Sequence, residues 1–162
     1  MESARLKMAG LCARAEQCEF EIEKKLFRLG LPHDKRKEVI EFLKSEKYLD
    51  ESRYASSFTH DKALFAGWGP FKIRAELRMR KISSSAIENA IQSLPSETWS
   101  QSLKRLSSSK ARAMDLTGED GKKNSMKLYR FLLSRGFPGE DSLKTVKQLI
   151  KLQKLNGEKD LE

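Results

Sequence analysis

The chain has 162 residues, 38% of them hydrophobic and 34% charged, enough for one thin-cored domain or several small modules that depend on one another. Thirty-two Lys and Arg against 23 Asp and Glu leave a formal charge of +9, a balance that favours a polyanion, an acidic protein surface or an anionic membrane as partner. No apolar run approaches the roughly 20 residues needed to cross a bilayer, and Met1 to Gly10 is too polar for a signal peptide.

Apolar residues recur with a helical period, and alternating strand-like runs are absent. A first helix is expected over residues 3–15. A helix pair follows, broken at Gly30-Leu31-Pro32. After a helix over 50–64, Gly69-Pro70 would place Gly at an N-cap and Pro at the first helical position, which needs no N–H donor. Ser85-Ala86-Ile87-Glu88 reads as a capping box opening a helix to Leu94. A helix over 97–115 leads to the last pair, broken at Gly136-Phe137-Pro138. Residues 156–162 are expected to form a tail, with Leu161-Glu162 read as a cloning remnant.

The chain repeats itself. Phe20, Ile22, Leu26, Leu31, Ile40 and Leu43 form an apolar frame. The same frame returns at Phe71, Ile73, Leu77, Ile82, Ile91 and Leu94, and again at Met126, Leu128, Leu132, Phe137, Val146 and Leu149. Each copy reads as a helix of about three turns, a break and a second helix of similar length, with one more helix in front. The expected fold is therefore all-α, a tandem repeat of three three-helix units forming an elongated, curved array. The repeats span 1–47, 48–95 and 96–155. One unit buries too little to stand alone, so neighbours must share packing.

Nothing in the chain forms a catalytic constellation. The two histidines, His33 and His60, have no neighbour at ligand or triad spacing. Gly67-Trp68-Gly69-Pro70 precedes a helix but lacks the lysine and pattern of a phosphate loop. Glu21 and Glu23 read as a solvated helix face. Cys12 and Cys18 lack metal-site or redox spacing and fit a reducing cytoplasm. No metal and no cofactor is expected.

The positive charge is clustered. Lys72, Arg74, Arg78, Arg80 and Lys81 stand against Glu76 alone, with Arg74 and Arg78 four apart on one helix flank. From Lys104 to Arg130, eight basic residues stand against three acids. Such faces suit phosphates or a partner's carboxylates, the alternative being a merely solvated helix surface. Phe20, Phe71, Phe131 and Phe137 lie on or beside the frame and are expected in the core. Trp68 either caps the core or stays exposed as a contact residue.

Three stretches carry a family likeness. Lys47-Tyr48-Leu49-Asp50-Glu51-Ser52-Arg53-Tyr54-Ala55 is similar to a Tyr-Leu-Asp/Asn-Asp run followed by Arg-Phe/Tyr-Ala. Gly67-Trp68-Gly69-Pro70-Phe71-Lys72-Ile73-Arg74-Ala75-Glu76-Leu77 is similar to Gly-Pro-x-x-Ile-x-x-Glu-Leu, and Arg130 to Phe137 to Arg-Phe-Leu-x-x-Arg-Gly-Phe. With Ala13-Arg14-Ala15-Glu16, and over residues 12–152, the chain resembles the RecX regulatory proteins of bacteria.

The resemblance implies a monomeric, cytoplasmic, non-enzymatic protein that binds the RecA recombinase filament. It further implies restraint of ATP hydrolysis, strand exchange and co-protease activity in recombination and the SOS response to DNA damage, with DNA phosphates in or beside the filament as a further contact and no membrane. Lys72, Arg74, Arg78, Arg80, Lys81, Arg130 and Arg135 are the expected partner-facing residues. Two departures stand out. Cys18 replaces a common N-cap Ser, and Lys81 replaces a common Gly, so the middle break is expected to differ in shape. A helix-turn-helix-like protein acting directly on DNA is the alternative, and a helical scaffold for an unrelated acidic partner a third reading.

Overall fold

A computed structural model of the chain, describing residues 1–162, consists of nine α-helices and no strand. They are α1 (Glu2–Arg14), α2 (Glu19–Arg28), α3 (His33–Ser45), α4 (Glu51–Leu64), α5 (Pro70–Met79), α6 (Ser84–Ser93), α7 (Ser96–Ala111), α8 (Gly121–Ser134) and α9 (Gly139–Lys159). The all-helical class and the order of three helices per repeat agree with the apolar frame. None of the helices is long and apolar enough to cross a membrane.

The helices gather into two compact units. The first comprises Met1–Thr59 and Ala75–Ser93. In it α1 and α2 both pack on α3, around Met8, Ile22, Leu26, Val39 and Leu43. The second comprises His60–Arg74 and Leu94–Glu162. There α7, α8 and α9 pack pairwise around Leu103, Leu128, Leu132, Phe137 and Val146. The middle repeat contributes to both, since α4 and α5 each supply residues to either unit.

The repeat frame has a local cause. Gly30, Lys81 and Gly136 occupy one position in the three copies, and all three adopt left-handed backbone, with φ of 79°, 58° and 92°. Each donates its N–H three residues back, to Phe27 O, Arg78 O and Leu133 O. The next residue donates five back: Leu31 to Leu26 O, Ile82 to Leu77 O and Phe137 to Leu132 O. This paired closure ends a helix by satisfying its last carbonyls, and it brings the two apolar residues that bracket it into contact. Those pairs, Leu26 with Leu31, Leu77 with Ile82 and Leu132 with Phe137, are the middle of the frame. The break at Lys81 thus has the shape of the other two rather than the different shape expected. Its non-glycine residue carries the strain instead.

Four expectations need correction. The helix placed over 97–115 ends at Ala111, because Asp115 folds the chain into a turn. Its Oδ1 accepts the N–H groups of Thr117 and Gly118 at 3.0 and 2.9 Å, bonds that hold the carboxyl below its usual pKa. Gln153 of α9 pins the same loop, donating to Met114 O and accepting from the Leu116 N–H, each at 2.9 Å. The final helix is 21 residues long rather than about three turns, and it runs into the supposed tail. The N-cap of α6 is Ser83, not Ser85: its Oγ accepts the Ala86 N–H at 3.3 Å, while Glu51 accepts the Ser83 N–H at 2.6 Å. The reciprocal acid therefore comes from α4 rather than from Glu88. Phe71, lastly, is 54% exposed. It lies two residues before buried Ile73, about 200° around the helix from the core-facing position.

Because Lys81 sits where glycine costs nothing, Lys81→Gly is expected to raise stability by about 1 kcal/mol. A higher urea midpoint at unchanged slope checks this; Lys81→Ala, which keeps the strain, is expected to leave the midpoint nearly unmoved.

Candidate partner-binding surface

The charge is divided unequally. The second unit holds 17 Lys and Arg against 10 Asp and Glu, a net +7, and the first holds 15 against 13, a net +2. Of the seven basic residues expected to face a partner, Lys72, Arg74, Arg130 and Arg135 belong to the second unit, and Arg78, Arg80 and Lys81 to the first.

Two chain breaks meet in the second unit. The start of α5 lies against the end of α8, with the Gly69 N–H donating to Arg135 O at 2.6 Å and the Phe71 N–H to Gly136 O at 2.9 Å. Pro70 between them has no N–H to offer. Unsatisfied donors of one helix start are thereby matched to unsatisfied carbonyls of one helix end, and the partial charges of the two ends attract. The approach demands glycine on both sides. A Cβ on Gly69 would lie 2.4 Å from Gly136 O, and one on Gly136 would lie 2.4 Å from the Lys72 N and Cβ.

Around this crossing the cations lie on aromatic faces. Lys62 and Lys72 stand 4.7 and 4.3 Å from the centroid of half-buried Trp68, and the Arg74 guanidinium is 5.6 Å from exposed Phe71. Lys110 and Arg135 stand 4.9 and 5.2 Å from half-buried Phe131. Phe71 is not the core residue expected, whereas Phe131 packs against the core with one part left exposed; each is a flat apolar base for a cation. Beside Phe131 opens a shallow concavity of about 830 Å³ lined by Lys110, Lys127 and Arg130, with Met114 and Leu106 on its apolar part and no acid. Lys110 and Lys127 escaped notice as individual site residues, although their stretch stood out as basic.

In the first unit the three basic residues have different situations. Arg78 and Lys81 are exposed. Arg80 is half-buried and engaged: its Nη1 donates to Glu76 Oε2 at 2.8 Å and Glu76 O at 3.0 Å, Glu21 Oε1 lies 3.9 Å from its Nε, and its guanidinium stands 5.1 Å from the Phe58 centroid. Burial works against this charge, but the Glu76 hydrogen bond with Tyr54, Glu76 and Glu21 outweighs it and raises the guanidinium pKa. Tyr54 nearby is pushed up to about 12 by its own burial, with Cys18 adding to the effect, and stays neutral.

The chain is similar to known proteins in sequence and in fold. The profile of a family described as "RecX, second three-helix domain" matches residues 50–91, which covers α4, α5 and most of α6. The regulatory protein RecX of Clostridium botulinum (strain Eklund 17B / Type B) is 36% identical over 128 residues, 79% of this chain, and the chain spans 59% of that relative's length. The regulatory protein RecX of Pseudomonas savastanoi pv. phaseolicola (strain 1448A / Race 6) is 33% identical over 129 residues, which is 79% of either chain. The crystal structure of RecX from Lactobacillus salivarius superposes with a TM-score of 0.72 over 94% of this chain and 99% of that one; at 20% identity this likeness speaks to the fold.

Structural and free cations separate by stability. Arg80→Ala, just past the end of α5, is expected to cost about 1–2 kcal/mol, from the lost charged hydrogen bonds, whereas Arg78→Ala on the exposed side of α5 is expected to stay within about 0.5 kcal/mol. Chemical denaturation of the two single variants decides it, and equal losses would contradict the division.

Proposed function

The chain belongs to the RecX family of regulatory proteins, and from that membership we propose that it acts by binding the RecA recombinase filament and restraining it. The observation that carries this reading is the joining of family membership to a basic, aromatic-backed surface with an acid-free concavity. Cations held against aromatic faces are partly ordered before a partner arrives, so less conformational freedom is lost on binding. Such a surface suits the carboxylates of a protein partner, and the Lys110, Lys127 and Arg130 rim supplies the complementary charge. The protein works as a monomer, in the cytoplasm, by binding rather than by catalysis.

Restraint follows from a difference in affinity. A ligand that prefers the assembled filament clamps it, and one that prefers free protomers or filament ends limits its growth. Either mode lowers ATP turnover on DNA, and with it strand exchange and co-protease activity. Lys72, Arg74, Arg130 and Arg135 are the proposed contacts of the second unit, and exposed Arg78 and Lys81 those of the first. Arg80, tied to Glu76, holds α5 in shape.

The test is the DNA-dependent ATPase of RecA, titrated with this protein. The rate is expected to fall with a saturating dependence on ratio, and Arg74→Glu/Arg78→Glu is expected to raise the required concentration roughly tenfold while the fold is kept. An ATPase unmoved at every ratio would overturn the proposal.

A further inference from the structure

The longest helix carries a row of charge that nothing neutralises. Lys144, Lys147, Lys151 and Lys154 of α9 follow at intervals of three, four and three residues, which sets them along one side of the helix over about 15 Å. All four are exposed, on the side away from buried Ser142 and Val146. No acid lies between Asp141 and Glu158, and none of the four forms an ion pair. Lys35 and Lys44 by contrast reach Glu38 and Glu19, both at 3.1 Å, while exposed lysines such as Lys37 and Lys122 are unpaired too but form no such row. Like charges three and four apart work against the helix that bears them. Such a row is a continuous stripe of positive potential open to an anion from outside the chain.

The first lysine of the row borders a concavity of about 510 Å³ between α7 and α9. Half-buried Trp99 lines it together with Leu103, Phe137 and Thr145, and Lys104 and Lys144 border it. Asp141 is the one acid there. An aromatic ring and two lysines lining one hollow, continued by a row of lysines, match what a single-stranded nucleic acid presents: bases free to stack and phosphates in succession. A duplex keeps its bases stacked inside, and an acidic polypeptide supplies charge without a ring. The geometry points to a site for single-stranded nucleic acid on α7 and α9, with Trp99 stacking a base and Lys104, Lys144, Lys147, Lys151 and Lys154 taking phosphates. The site shares no residue with the proposed RecA contact and needs no RecA.

Trp68 and Trp99 are the two tryptophans of the chain, so Trp68→Phe leaves Trp99 as the only indole reporter. Titrated with oligothymidylate in the absence of RecA, this variant is expected to show quenching of Trp99. Its affinity should fall with salt at a logarithmic slope of about −3, as four to five amines on a single strand require. Anisotropy of labelled oligothymidylate with the unsubstituted protein is expected to give the same slope. Lys147→Ala/Lys151→Ala, confined to the exposed face, should weaken binding roughly tenfold and reduce the slope by about 1.4. Absent quenching, an affinity unmoved by the double substitution, or equally tight binding of duplex DNA or polyglutamate would overturn the assignment. Because RecA is absent throughout, that failure would leave the filament proposal standing.

Discussion

One crossing of backbones sets the geometry of the second unit. At Gly136 the chain must turn left-handed to end α8, and it must also admit the backbone of α5 at a distance no side chain allows. The left-handed turn leaves the carbonyls of Arg135 and Gly136 without partners inside α8, and the start of α5 leaves the N–H groups of Gly69 and Phe71 without partners inside α5. Each set satisfies the other. A proline between two donors and a glycine on either side of the contact are therefore the chemical content of the Gly-Trp-Gly-Pro and Arg-Gly-Phe stretches, which otherwise read only as family signatures.

From that crossing the basic surface follows. Lys72 is the residue Gly136 must clear, so its amine is held beside Trp68, and Arg135 caps the end of α8 just before the turn, so its guanidinium is held beside Phe131. Charge and aromatic faces come together because two helix ends do. The division of net charge, +7 against +2, then gives the second unit most of the attraction for an anionic partner. The first unit spends its cations internally, with Arg36 on Glu23, Arg53 on Glu16 and Arg80 on Glu76.

Local features were legible in the sequence; features made by distant residues were not. The breaks at Gly30 and Gly136 declare themselves through glycine and proline, and the apolar pairs that bracket them give the repeat its register. Lys81 hides the third break from a reading of residue types, yet Leu77 and Ile82 at the same spacing reveal it. The early end of α7 has a local cause in the turn at Asp115, but its anchoring by Gln153, more than 30 residues away, has no local signal. The cap of α6 depends in the same way on Glu51. Two further features are carried by spacing. Phe71 sits out of phase with Ile73 and Leu77 by its spacing alone, and the α9 lysines are evident once charge is counted by helix face rather than by stretch.

Gly30 and Gly136 share a repeat position and a left-handed backbone, but a Cβ at Gly30 would meet nothing within 4 Å. Substituting each with alanine and measuring urea unfolding separates backbone strain from the crossing. Gly30→Ala is expected to cost about 1 kcal/mol, the strain alone. Gly136→Ala is expected to cost at least about 3 kcal/mol, strain together with loss of the contact to α5. Equal losses at the two positions would contradict the claim that this crossing organises the second unit and its surface.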